Sequence, residues 1–120
     1  MDFFQCKSAA TPRIVVIEYN ATLRPPLSLV VPYEPTRQFN DGSNYFGASL
    51  EALVRLGRAK GYRVVGCNFS GVNAFFVRDD ICGDRFLDPA TAEEHYEPPR
   101  YFAILMMAGH RGLPGLYQVV

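Results

Sequence analysis

The sequence contains no tryptophan, has only three cysteines among 120 residues and carries no net charge. The odd cysteine count without a CxxC spacing argues against a disulfide framework or a zinc site and favours a reducing compartment. Its twelve basic and twelve acidic residues cancel, so no overall field attracts nucleic acid or an anionic membrane. No uncharged apolar run approaches the roughly 20 residues of a membrane-spanning helix, and no signal peptide is evident. We therefore expect a cytoplasmic protein with neither nucleic acid nor membrane as a partner.

The composition is that of an ordered globular chain, with 48% apolar and 13% aromatic residues. The length predicts one domain over residues 1–120. Its core is expected at residues 13–78, and residues 79–120 read as an irregular, acidic extension. A short helix over Asp88–His95 is expected there, begun by Pro89 or by a Thr91–Glu94 capping box. Tyr101–Met107 is apolar enough for a strand or a buried tail.

The core region predicts one strand, one helix and a hairpin. The β-branched run Ile14–Ile17 is typical of a strand buried on both faces. Four prolines between residues 21 and 38 predict a long loop, in which Leu27–Val31 could form an edge strand. Asn44 and Tyr45 are expected to open an amphipathic helix that ends at Gly61.

The hairpin follows directly after this helix. Its strands are predicted over Tyr62–Asn68 and Asn73–Arg78, joined by a tight turn at Gly71. The predicted fold class is therefore α/β: a small two-layer or three-layer mixed sheet with one main helix and an antiparallel hairpin.

Four stretches carry a family resemblance: VVIEYN at residues 15–20, NYFGASLEALV at 44–54, GYRVVGC at 61–67 and GVNAFFVR at 71–78. Together they resemble the C-terminal segment of FkbM-type S-adenosylmethionine-dependent methyltransferases. The resemblance implies a partial Rossmann-like fold made of the last parallel strand, its helix and the terminal hairpin. It also implies the strand order Ile14–Tyr19, Asn73–Arg78, Tyr62–Asn68.

The same resemblance implies that the methyl-donor site is missing from this sequence. That site needs a glycine-rich turn and an acidic residue upstream of the matching block, and only twelve residues precede Arg13. We therefore expect no cofactor, with S-adenosylmethionine bound only if a partner chain supplies the donor site.

The strand Ile14–Tyr19 would then lie at an open sheet edge. Such an edge is a template for pairing. It could be covered by a second copy, by Met1–Lys7 or by Leu27–Val31, and we favour a homodimer.

Candidate ligand contacts are Glu18 and Asn20, at the carboxyl end of the first strand, and Asn44 and Tyr45, at the predicted helix start. Each has a structural alternative: an ion pair for Glu18, strand termination for Asn20 and helix capping for Asn44. His95 among acidic residues reads as a solvated side chain, and His110 has no evident catalytic partner. We predict no catalytic, cofactor-binding or metal-binding residue.

Two functions follow as hypotheses. The first is a non-catalytic, truncated methyltransferase-like domain that self-associates and binds a small molecule or a protein. The alternative is the acceptor-site subunit of a split methyltransferase, docked to a donor-binding chain through Ile14–Tyr19. An unrelated enzyme that uses the acidic residues 79–97 has no support beyond charge density.

Overall fold

A computed structural model of the chain describes residues 10–36, 43–100 and 115–120. Within these ranges it contains five strands and three helices. In chain order they are β1 (Ile14–Glu18), β2 (Leu29–Val30), α1 (Leu50–Ala59), β3 (Tyr62–Cys67), β4 (Asn73–Arg78), α2 (Asp79–Cys82), α3 (Ala92–His95) and β5 (Gln118–Val119).

The main sheet has the order β1-β4-β3, which confirms the predicted strand order. Both pairings in it are antiparallel. β1 and β3 therefore run in the same direction, as in a βαβ unit, but β4 lies between them. The expectation of a mixed sheet is wrong for the described residues. Because β4 lies between the two parallel strands, each strand of the main sheet is hydrogen-bonded only to an antiparallel neighbour.

Helix α1 begins five residues later than Tyr45, at Leu50, so the predicted helix start is wrong. The hydroxyl of Ser49 accepts a hydrogen bond from the N–H of Ala52 and caps the helix. Residues 47–49 are instead tied to the chain around β2: Gly47, whose φ is +62°, accepts at its carbonyl from Val31 N, and Ser49 N donates to Leu29 O, both at 2.8 Å. The predicted helix end is confirmed, since Gly61 follows the C-cap with φ +79°.

The core lies on one face of the main sheet, between the sheet and α1. Val15, Tyr19, Val64 and Phe76 contribute from the strands, and Leu50, Leu53 and Val54 from the helix. On the other face of β1, Ile14 is 60% exposed and Val16 is 53% exposed. The expected burial of this strand on both faces is therefore wrong in the single chain, because the described residues leave that face of β1 largely exposed.

A second, two-stranded sheet forms from β2 and β5. It confirms an edge strand within Leu27–Val31, and it shows that this segment pairs with β5 and with Ala48 rather than with β1. The proposed covering of β1 by Leu27–Val31 is therefore wrong. Met1–Lys7, the other intramolecular candidate, lies outside the described residues.

The chain after β4 adds two short helices to the core region. α2 was not predicted, and the helix expected over Asp88–His95 is confined to α3. Thr91 caps α3 by accepting a hydrogen bond from Glu94 N at 3.3 Å, whereas Pro89 precedes the helix. Ala92 is fully buried in the core. Tyr101–Met107 and His110 lie outside the described residues. Among the helices that the structure describes, none is long and apolar enough to cross a membrane.

Candidate functional site

The side chain of Asn20, just after β1, is fully buried, and its amide group makes four hydrogen bonds. Its amide nitrogen donates to Asn44 O at 2.7 Å and Phe46 O at 3.0 Å. Its amide oxygen accepts from the backbone N–H of Thr22 at 3.1 Å and from the Thr22 hydroxyl at 2.6 Å. An asparagine amide offers two donors and one oxygen with two lone pairs, so all its capacity is used inside the protein. Asn20 therefore positions residues 44–46 against the strand end.

Tyr45 connects that segment to the last described residues of the chain. Its hydroxyl donates to the carbonyl of Leu116. Its ring meets the Tyr117 ring edge-on, with centroids 5.0 Å apart and planes at 82°. The structure thus brings Asn20, Asn44 and Tyr45 together through hydrogen bonds that serve the fold.

Glu18, the fourth predicted contact, lies on the other side of β1. Successive side chains of a strand point to opposite faces, so Glu18 shares the exposed face with Ile14 and Val16. It stands opposite Asn73 in the pairing with β4. Its exposed carboxylate is therefore separated from the Asn20 network by the strand itself.

Sequence reasoning missed a cluster of two tyrosines and a cysteine on the core side of the same strand end. The Tyr19 hydroxyl donates to Glu97 O at 2.6 Å, and the Tyr96 hydroxyl donates to Ala21 O at 2.5 Å. The two rings meet edge-on, with centroids 6.4 Å apart. The thiol of Cys67 lies beside the Tyr19 hydroxyl. The alternation Val15, Ile17, Tyr19 could have placed Tyr19 in the core, but no local signal indicates its distant partners.

The electrostatics of this cluster keep its acidic groups protonated. Burial raises the pKa of the Cys67 thiol to about 11, and the nearby Glu97 adds to the shift. Burial also raises the pKa of both Tyr19 and Tyr96. A thiolate is the nucleophilic form of cysteine, so we expect Cys67 to react slowly near neutral pH.

Residues 96–100, here called the closing segment, cover the carboxyl end of β1 and the β3–β4 turn. Arg100 donates from its backbone to Ser70 O at 2.9 Å and from its guanidinium to Phe69 O at 2.7 Å. A Cβ on Gly71, whose φ is +70°, would lie 2.3 Å from Pro98 O. Open α/β sheets bind ligands at the carboxyl ends of their strands. Here that region is occupied by the chain itself.

The outer edge of β1 is the remaining candidate surface. Arg78 N donates to Arg13 O, and Tyr19 N donates to Val72 O. These two bonds show that the odd-numbered residues of this segment are the ones whose backbone groups bond to β4. The backbone groups of Ile14, Val16 and Glu18 consequently point away from β4. The described strands include none that pairs with this side. At its far end the edge is closed, because Asn20 N donates to Ala48 O at 2.8 Å.

The described residues do not form a recognisable metal site. The described ranges hold no group of three or more His, Cys, Asp or Glu side chains that could bind a metal ion. His95, expected to be solvated, has a buried Nε2 without a hydrogen-bond partner.

Comparisons with protein-family models, with curated proteins and with solved structures find no match.

Proposed function

We propose that this chain is a non-catalytic α/β domain of methyltransferase-like ancestry that self-associates through the outer edge of β1. The observation that carries the proposal is this edge: three residues with outward backbone groups, two of them bearing apolar side chains more than half exposed. Exposed edges of this kind are pairing templates, and natural proteins usually protect them.

The two edges of the main sheet differ in that protection. β3, at the other edge, has a register shift between Val64 and Gly66 in its pairing with β4. It also carries the charged Arg63 and is flanked by α3. Bulges, charges and covering segments are devices that block edge pairing. β1 has regular pairing, and its one charged residue, Glu18, lies at the end of the strand, so it is the edge that favours association.

The neighbouring residues select one register for an antiparallel pair of β1 strands. With Val16 opposite Val16 of the second copy, each Ile14 faces a Glu18, giving about six backbone hydrogen bonds. A shift in one direction brings Pro12, which has no N–H, into the ladder. A shift in the other direction requires Asn20 N, which already donates to Ala48. The resulting six-stranded sheet is symmetric about a two-fold axis, the commonest arrangement in homo-oligomers.

The chemistry of the described residues supports the non-catalytic part of the proposal. The pKa values of the thiols of Cys67 and Cys82 and of the phenols of Tyr19 and Tyr96 are all raised, which favours the protonated form. Catalytic nucleophiles need the opposite shift or an adjacent base.

The test is the molar mass in solution, measured by size-exclusion chromatography with light scattering. We expect twice the 13.4 kDa of one chain. Val16→Lys should give a folded monomer, because two ammonium groups would face each other at the two-fold axis. Leu87→Lys, which adds the same charge at another exposed apolar residue, should remain dimeric.

A charge-reversal pair makes the test specific for this register. Val16→Lys and Val16→Glu should each be monomeric alone and form a heterodimer when mixed, since the two charges then attract. A monomeric wild-type chain, or a dimer that Val16→Lys leaves intact, would overturn the proposal.

A second proposal uses the same edge: the chain supplies acceptor-site residues to a separate donor-binding methyltransferase chain. The exposed Glu18 carboxylate favours it, because Glu18 lies on the edge that would dock and its side chain is on the face of β1 away from Tyr19 and the closing segment. Co-expression with the donor-binding segment of an FkbM-type methyltransferase should then yield a complex that forms S-adenosylhomocysteine, and Glu18→Gln should slow it. A homodimer that does not exchange with that segment would refute this alternative.

A further inference from the structure

A cleft of about 640 Å³ lies beside β3, at the sheet edge opposite to β1. The end of α1, the start of β3 and residues 88–91 form its walls. Small-molecule sites typically have volumes of roughly 300–1,000 Å³, with apolar walls and a few placed polar groups. The cleft is thus of suitable size for a small ligand and is independent of the β1 edge.

The floor of the cleft is apolar and is formed by residues of the hydrophobic core. Val54 and Val64 are buried core residues that also line it. Pro89 and Ala90 form the facing wall. Pro89, which is exposed, and Ala90, which is half-buried, would contact an aliphatic or aromatic group of moderate size, above the buried Val54 and Val64.

Four charged side chains line the cleft: Arg58, Arg63, Asp79 and Asp88. Arg63 lies 3.6 Å from Asp79 and 3.5 Å from Asp88. Both N···O distances exceed the 2.7–3.2 Å typical of N–H···O hydrogen bonds, so the guanidinium holds the two carboxylates in its vicinity without satisfying them. The Asp88 side chain is 76% exposed and therefore accessible from the cleft.

Arg58 provides a second guanidinium beside this group. It donates to Ala90 O at 3.2 Å, which holds its head group over the cleft. A guanidinium has five N–H donors, so this single bond leaves most of them for a carboxylate. Arg58 and Asp88 thus present one donor group and one acceptor group next to an apolar floor.

The balance of charge selects the ligand class. A purely anionic molecule would gain from Arg58 but would approach Asp79 and Asp88, and a purely cationic one would meet the two guanidinium groups. Discrimination arises from such repulsion as much as from attraction. We propose that the cleft binds a small zwitterion with an apolar body, such as a free α-amino acid with an aliphatic or aromatic side chain. In this mode Arg58 binds the carboxylate, Asp88 binds the ammonium group, and Pro89 and Ala90 contact the side chain.

Three ligands that differ by one charged group test the proposal: L-phenylalanine, 3-phenylpropionate without the ammonium group, and phenethylamine without the carboxylate. Binding is followed by two-dimensional NMR of the full chain, through the amide signals of Val54, Val64 and Ala90. We expect saturable shifts with phenylalanine and at least about tenfold weaker binding of each analogue, the factor that corresponds to one modest interaction.

Variants assign the two ends of the ligand. Arg58→Gln should weaken phenylalanine about tenfold without weakening phenethylamine, whereas Asp88→Asn should weaken phenylalanine without weakening 3-phenylpropionate, since each change removes a charge that repels the analogue. Arg55→Gln, on the exposed side of the same helix, and Asp84→Asn are matched controls that should bind as the wild type does. Equal affinity for phenylalanine and 3-phenylpropionate, or no saturable shift with phenylalanine, would overturn the assignment.

Discussion

Replacing Asn20 by aspartate changes one buried atom group and tests whether this residue serves the fold. The Asn20 amide nitrogen donates to Asn44 O and Phe46 O, at 2.7 and 3.0 Å. In Asn20→Asp the nitrogen becomes an oxygen, so two carbonyls lose their donor and face a carboxylate. An unsatisfied buried polar group costs about 1–3 kcal/mol, so we expect a loss of about 4 kcal/mol in the free energy of unfolding near neutral pH.

The free energy of unfolding of the Asn20→Asp variant should depend on pH. In the folded state, burial and the two facing carbonyls raise the pKa of the new carboxyl above the unfolded value of about 3.9. A raised acid pKa means that the folded state binds more protons, so stability falls as pH rises from the unfolded to the folded pKa. Below that window the protonated carboxyl can donate one hydrogen bond, and we expect about half of the lost stability to return.

Urea denaturation followed by circular dichroism, at several pH values and always against the wild-type chain, measures this difference. The variant should be least stable relative to wild type at neutral pH and approach it in acid. Asn68→Asp is a matched control, because the Asn68 side-chain oxygen accepts hydrogen bonds from Val72 N and Asn73 N, a role that a carboxylate retains. A pH-independent loss below about 1 kcal/mol would refute the structural role assigned to Asn20.

Three further outcomes are expected. Gly71→Ala should lower the free energy of unfolding by more than about 2 kcal/mol, because its Cβ would lie 2.3 Å from Pro98 O at a φ of +70°. The measurement is thermal denaturation. Gly83→Ala is the control, because its Cβ meets no atom within 4 Å at a similar φ of +55°, so the difference between the two variants reports the clash. Ser49→Ala should cost about 1–2 kcal/mol in the same assay, because one hydroxyl serves both as the cap of α1 and as a partner of β2. Alkylation of Cys67 by iodoacetamide in a Cys6→Ser, Cys82→Ser background should be slow at neutral pH and rise about tenfold per pH unit towards the thiol pKa of about 11.

Much of the sheet could be predicted because its signals are local. The β-branched run of β1, the glycine after α1 and the turn before β4 each restrict the backbone within a few residues, and all three are confirmed. The strand order came from the family resemblance and agrees with the structure. The start of α1 was placed too early because several polar residues before it resemble caps, and only the contacts of residues 47–49 with β2 distinguish Ser49.

The surroundings of the strand end could not be predicted, for a physical reason. The Tyr19–Glu97 hydrogen bond joins residues 78 positions apart, and the Tyr96–Ala21 bond joins residues 75 apart. Such pairings depend on how the closing segment crosses the sheet, and no periodicity in either segment encodes it. The candidate contacts Asn20 and Asn44 lie together in the structure, yet the hydrogen bond that joins them is internal.

The network of Asn20 also bears on the proposed assembly, because it limits the length of the free edge. Its side chain holds residues 44–46, and its backbone N–H donates to Ala48, which together close the edge after Glu18. Pro12 closes the other end, so the register centred on Val16 is the longest that the edge allows. Loosening residues 44–48 in Asn20→Asp would free one more N–H and admit a shifted register. A dimer held by this edge should therefore become heterogeneous in that variant, which disulfide trapping of Val16→Cys across the two-fold axis would report as a lower yield.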